Sequence, residues 1–380
     1  MRNTLASITA AGLLAALTVQ PANGADPIRV GVPVIFSGPG AFVGESEKRV
    51  LDLQVEQANA RGGIGGRPIE LVYYDTEGKP DVAVRMFNRL IRNDRVSAIL
   101  GPTASWEALP VKPIIDSAGI PTIMLASTRA IVQPVAKCIF KTPPDDFIVV
   151  GRLIEHLKAA GQRKVALVTS QDGFGDGGRT EMLAQAKAAG VEIVFDEKYT
   201  MEDADLSPLL NRIKRTDAQA VINWSSSRAP IVMTTNYRQV GLQLPLYQSH
   251  AAISPAFLKG TGQNSEGVMA AGAKLDGADD LADSDAQKAA IQGFRTAFKA
   301  KYNAEPNQFG AGAFDAFNIL SAALRKVGTE PAKLCAAIEE TRGYVGVSGV
   351  FNFSGSDHGG LTKDSVVMYQ VKGGAWKLIR

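Results

Sequence analysis

The chain has 380 residues, and its 41 Lys and Arg stand against 38 Asp and Glu for a formal net charge of +3 at pH 7. That near balance, with no basic run and no interleaving of basic with aromatic residues, argues against a nucleic-acid partner. The length exceeds what one hydrophobic core fills and points to two domains.

Residues 1–24, MRNTLASITAAGLLAALTVQPANG, hold a single early charge at Arg2, then an apolar stretch, then Ala22-Asn23-Gly24 with small residues where a signal peptidase reads. This is the pattern of a secretory signal cleaved near Gly24, and its apolar part is too short to span a bilayer comfortably. Its removal leaves about 356 residues outside the cytoplasm. No later stretch reads as membrane-spanning.

Downstream, short β-branched runs alternate with helical stripes. Strands are expected at 28–36 (IRVGVPVIF), 69–76 (IELVYYDT), 96–102 (VSAILGP), 120–127 (IPTIMLAS), 164–170 (KVALVTS), 191–197 (VEIVFDE) and 218–226 (AQAVINWSS). Ala83, Met86, Phe87, Leu90 and Ile91 form one apolar stripe at helical spacing. Val150, Leu153, Ile154 and Leu157 form a second, and Leu206, Leu209, Leu210 and Ile213 a third. The alternation predicts βαβ units with right-handed crossovers, and there are too many units for one sheet.

The fold class is therefore α/β: two Rossmann-like lobes with parallel sheets. Breaks at KTPPDD (141–146), AGAKLDGADD (271–280) and SGSDHGG (354–360) give a three-crossover hinge between them. The N-terminal lobe is assigned residues 25–145 plus 274–356, and the C-terminal lobe 146–273 plus 357–380. A ligand belongs in the cleft between the lobes, beyond the carboxyl ends of the strands.

The sequence offers little for catalysis. It holds no G-x-S-x-G elbow, H-E-x-x-H, C-x-x-C or G-x-x-x-x-G-K-[ST] loop. Asp145 and Asp146 are neighbours, and on an extended chain they point to opposite faces, so they are no acid/base pair. Of the three histidines, His156 sits in the helical LIEHLKAAG and His358 in a Gly-rich turn; only His250, in YQSHAAIS at a strand end, is placed to meet a ligand. Binding is the expectation, with no cofactor and no metal. Cys138 and Cys335 are free to pair in an oxidising compartment, but their wide spacing leaves the pairing open.

One pattern competes with that reading. TSQDGFGDGG (169–178) contains G-x-G-x-x-G at Gly173, Gly175 and Gly178, and Asp196 follows near where a dinucleotide fold keeps its ribose-binding acid. Gln171 and Asp172 intervene between the strand and the first glycine, where the dinucleotide pattern turns at once. The loop also opens the second lobe, not an N-terminal half.

The strand-end loops carry hydroxyls: Ser105 in GPTASWEA, Ser127 and Thr128 in ASTRAI, each placed just before an expected helix start. Such residues either cap the helix or join its free N–H groups in holding a carboxylate, and both readings stay open. Phe42, in FSGPGAFVGES, stands at the cleft rim as loop packing or as a pocket wall.

Together SGPGAFVGES, ANARGGIGGRPIELVYYDTEGKP, ILGPTAS, PTIMLAST, DGFGDGG and FGAGAFDAFNIL resemble the periplasmic leucine/isoleucine/valine-binding proteins, from about residue 28 to the C-terminus. These are substrate-binding components of ABC importers, with the type I periplasmic-binding-protein fold. The resemblance implies a periplasmic protein, expected to be a monomer, that captures a small-molecule carboxylate by hinge closure and passes it to an inner-membrane permease. It implies Ser105 and Thr128, with Ser127 beside them, for the ligand's α-carboxylate. Phe42 and Phe174 would be aromatics offered by the two lobes, and Asp146 an acid at the crossover for an α-ammonium. Trp224 or the following Ser225-Ser226 falls near another pocket aromatic.

One departure matters. Amino-acid-binding members place an acid after a later second-lobe strand, and His250 stands there in this chain. A pocket of Phe42, Phe174, Trp224, Trp106 and His250 suits a small apolar carboxylate, either a branched-chain amino acid or an aromatic or aliphatic acid. Two other classes are weighed against this: a ligand-sensing protein serving a receptor, which shares the fold, and a secreted dinucleotide-dependent oxidoreductase using the Gly173–Gly178 loop.

Overall fold

The computed structural model describes residues 26–379, so the secretory signal expected at 1–24 lies outside the described residues. The seven expected runs all become strands: each is rich in β-branched or aromatic residues, five are buried on both faces, and the two at sheet edges, Ile69–Asp75 and Glu192–Tyr199, are only partly buried. β1 (Ile28–Val34) is buried everywhere but Arg29. α1 (Ala41–Ala60), β2 (Ile69–Asp75), α2 (Pro80–Arg92), β3 (Ala98–Leu100), α3 (Ser105–Ala118), β4 (Thr122–Met124) and β5 (Ile139–Lys141) complete the first half of the fold. The five strands form a parallel sheet in the order β2-β1-β3-β4-β5, with Ile28 opposite Ile69 and Val34 opposite Asp75.

The chain then builds a second sheet through α4 (Asp146–Ala159), β6 (Lys164–Ser170), α5 (Gly173–Ala189), β7 (Glu192–Tyr199), α6 (Ser207–Ile213), β8 (Ala220–Trp224), α7 (Ala229–Gln239), β9 (Leu246–Gln248), α8 (Pro255–Thr261) and β10 (Met269–Ala273). It returns to the first sheet with α9 (Lys288–Tyr302), α10 (Gln308–Val327) and α11 (Pro331–Glu339), whose Phe294, Leu320 and Leu334 pack with Val50 and Val30. After the short pair β11 (Tyr344–Val345) and β12 (Val350–Phe351), it ends in the hairpin β13 (Val366–Lys372) and β14 (Ala375–Ile379).

The second sheet has the order β14-β13-β10-β9-β8-β6-β7. It is parallel from β7 to β10 but antiparallel at the β13 and β14 edge, which differs from the all-parallel sheet expected. The reason is local: Gly373 and Gly374 both take positive φ, the geometry of a two-residue hairpin turn. Cys138 and Cys335 do pair, with an S–S distance of 2.00 Å, and join the approach to β5 to α11. His358 serves that same region, bonding Ile139 O through Nδ1 at 2.8 Å and lying against Phe140 with ring centroids 4.1 Å apart. Among the described residues, no helix is long and apolar enough to cross a membrane.

Candidate functional site

The loops at the carboxyl ends of the two sheets face one another across a cavity that opens to solvent. Ser105 and Trp106 reach it from the start of α3, Ser127 from the loop after β4, and Phe309 from the start of α10. From the second sheet come Phe174 at the start of α5, Ser226 after β8 and His250 after β9.

Ser105 does not cap α3. Ala104 occupies the cap position and Ser105 is the first helical residue, buried at 3 % exposure. Its Oγ accepts from Thr128 N at 3.2 Å, which leaves the hydroxyl hydrogen for the cavity. The expected helix after ASTRAI is only one 3₁₀ turn, Arg129–Ile131. Thr128 is fully buried and absent from the cavity lining; its Oγ1 donates to Asp146 Oδ2 at 2.7 Å.

Asp145 is on extended chain as expected, but Asp146 is not. Asp145 caps α4, accepting from Ile148 N at 3.1 Å, and Asp146 begins that helix. Asp146 Oδ2 also accepts from Arg129 N at 3.3 Å, while Oδ1 has no partner among the described residues. Burial pushes its carboxyl up to about 7, against the pull of the Thr128 hydrogen bond. Below the cavity floor Glu47 accepts from Thr103 Oγ1 at 2.6 Å, and Thr103 Oγ1 in turn accepts from Ile35 N. Burial raises Glu47 well above its ordinary range.

Phe42 stands outside the cavity, edge-on to Phe309 at 5.9 Å, and Phe309 presents the ring. Trp224 is likewise fully buried behind the wall rather than in it. It stacks on Phe174 at 5.8 Å, and His250 meets both rings edge-on at 5.3 and 5.7 Å. Trp106 lines the cavity and donates Nε1 to Gly78 O at 2.9 Å. Gln308, which the sequence reading missed along with Phe309, lines it too and ties the lobes by donating Nε2 to Ile253 O at 2.8 Å and to His250 O. Asn307 caps α10 ahead of both, and an Asn two residues before an aromatic at a helix start was the available signal.

The glycine loop is a packing device. Asp172 caps α5 by accepting from Phe174 N and Gly175 N, so a carboxylate of the chain itself holds the N–H groups a pyrophosphate would need. Asp196, placed for a ribose, is bound by Arg179. A methyl group at Gly178 would collide with the Trp224 indole, and one at Gly177 with Thr128 Oγ1 and Asp146 Oδ2. Glycine thereby lets α5 of the second lobe lie directly on the first.

A family model described as periplasmic binding protein matches residues 27–375. The chain belongs to this family. The leucine/isoleucine/valine-binding resemblance is thus shown, and the chain is a solute-binding protein rather than an enzyme. A Leu/Ile/Val-binding protein from Rhizobium johnstonii is 26 % identical over 383 residues, covering 98 % of each chain. An extracellular ligand-binding receptor from Rhodopseudomonas palustris HaA2 superposes with a TM-score of 0.87 at 24 % identity, over 93 % of this chain and 99 % of that one. A solute-binding protein of an ABC transporter from R. palustris, solved in complex with benzoate, gives a TM-score of 0.81 at 23 % identity over 92 % and 94 %. These likenesses establish the two-lobed periplasmic-binding-protein fold.

Proposed function

We propose that this chain is an exported component of an ABC importer whose lobes close on a small apolar carboxylate and present it to an inner-membrane permease. The lobes divide at 145/146, 273/274 and 356/357 in this reading. The observation that carries it is the wall chemistry of the cavity: hydroxyls of Ser105 and Ser127 on one side, the Phe174 ring on the other. The hydroxyls hold the carboxylate, Thr128 fixes Ser105, and Trp106, Phe309 and Phe174 enclose the apolar body. The named relatives bind Leu/Ile/Val in one case and benzoate in another, and a small apolar carboxylate is what these ligands share.

Thermal unfolding of the mature protein against amino acids and amine-free acids tests this. A ligand at about a hundred times its dissociation constant adds roughly 2.7 kcal/mol of stability. Hydrogen bonds to a charged group are worth about 1.5–3 kcal/mol each, so Ser105→Ala with Ser127→Ala should weaken binding by more than about tenfold. If no small carboxylate of either kind raises the midpoint, the reading fails.

A further inference from the structure

We propose that the captured carboxylate carries no ammonium group and bears instead an uncharged hydrogen-bonding substituent, a hydroxyl or carbonyl, with His250 as the residue that sets this choice. The inference rests on the carboxylate-binding reading above and narrows it to one ligand class.

An ammonium enclosed with an apolar body needs an anion or a set of acceptors beside it, since an uncompensated buried charge is strongly disfavoured. Among the described residues that line the cavity, none is an Asp or Glu. Asp146, two positions after the lining residue Pro144, does not itself line the cavity, and its Oδ1 is buried without a partner among the described residues. Its Oδ2 is occupied by Thr128 and Arg129, and Gly177 of α5 is packed directly against it. Its carboxyl, pushed up to about 7 by burial, is also only partly ionised near neutrality.

The charge that acts on His250 is positive. Lys141 is fully buried, donates Nζ to the carbonyl of the lining residue Pro143, and adds to burial in driving the His250 imidazole down to about 3. The imidazole is therefore neutral.

Two groups on the same side ask for an uncharged partner. His250 is 6 % exposed and its Nδ1 is buried without a hydrogen bond; Ser226 Oγ is also buried without one among the described residues. Both line the cavity. A neutral imidazole has one donor and one acceptor nitrogen, and with Nδ1 unbonded the protein leaves the tautomer to the ligand. A hydroxyl or carbonyl satisfies such a pair without a counter-charge.

The test is calorimetric titration of the mature protein with ligands of constant skeleton: 3-phenylpropanoate, 3-phenyllactate, phenylpyruvate and phenylalanine, and 4-methylpentanoate, 2-hydroxy-4-methylpentanoate and leucine. The hydroxy or oxo acids should bind tightest, and the amino acids at least about a hundredfold more weakly. Leucine or phenylalanine binding as tightly as its hydroxy counterpart overturns this inference and leaves carboxylate capture standing; no binding by any of the seven overturns both.

Two variants locate the choice. His250→Glu should shift preference toward the amino acid by about tenfold or more. His250→Phe keeps a ring against Phe174 and Trp224, and should abolish the advantage of the hydroxy acid over the plain acid. Unchanged selectivity in His250→Phe overturns the role given to His250, whether or not His250→Glu folds.

Discussion

On one side of the cavity, Ser105 and Thr128 are tied to Asp146 at the start of α4, across the 145/146 division: Thr128 N donates to Ser105 Oγ and Thr128 Oγ1 to Asp146 Oδ2. On the second-lobe side, Phe174, Trp224 and His250 touch ring to ring, while His250 Nδ1 and Ser226 Oγ have no partner among the described residues. The first wall is fixed by the protein before a ligand arrives, so its donors cost little reorganisation on binding. The second is fixed in shape but incomplete in hydrogen bonding, and what completes it is free to vary between chains. In the proposed reading, capture of a carboxylate and choice among carboxylates thus reside on different walls.

The most damaging break in the first wall is Thr128→Val, which keeps the volume but takes a donor from a buried acid. It should cost about 2–4 kcal/mol in denaturant unfolding, and a loss below about 1 kcal/mol would mean that Asp146 is not held by Thr128.

Titration separates the walls next. Asp146 is raised from 3.8 to about 7, so the stability its protonation contributes is full below 3.8 and lost as pH rises through 7. His250 is lowered from 6.5 to about 3, so its contribution is full above 6.5 and lost as pH falls toward 3. The two oppose each other between about pH 4 and 7. Asp146→Asn should therefore stabilise the protein at pH 8 relative to wild type and lose that gain by pH 4; an equal effect at both values contradicts the assignment.

Gly177→Ala acts where the walls meet. The added methyl group collides with Thr128 of the first lobe as well as with Asp146, so closure of the lobes is penalised. Ligand affinity should drop about tenfold with the unliganded melting temperature nearly unchanged. The smallest effect on stability belongs to His250→Phe. Replacing a buried group that lacks a partner with an apolar ring should leave unfolding within about 1 kcal/mol of wild type, or improve it.

These contrasts mirror what the sequence made legible. Runs such as KVALV and AVINW announce themselves, because a strand buried on both faces must be apolar throughout. β5 and β9, three residues each and ending in Lys141 and Gln248, are too short to show a period and carry polar residues the site environment buries. The Ser105 and Ser127 loops were visible from their strand ends. Phe42 and Phe309 were not separable by pattern: one sits behind the other, and which ring faces the cavity depends on how α10 lies across α1, a contact between residues more than 260 positions apart in the chain. The partnering of Asp146 with Thr128 depends likewise on where α4 begins relative to the loop after β4.

The close approach of α5 to Thr128 also bears on the empty protein. Part of the surface that joins the lobes involves no ligand at all: a Cβ at Gly173 would lie only 3.4 Å from Ser105 O, Arg129 meets Glu181, and Gln308 reaches His250 and Ile253. These contacts form whenever the lobes meet, so they set a resting fraction of shut, unloaded molecules. In the proposed importer role, that fraction sharpens apparent affinity by prepaying the closing step, and it also produces idle copies that compete with loaded ones for the permease. The glycines of α5 therefore tune a trade between sensitivity to scarce solute and futile docking.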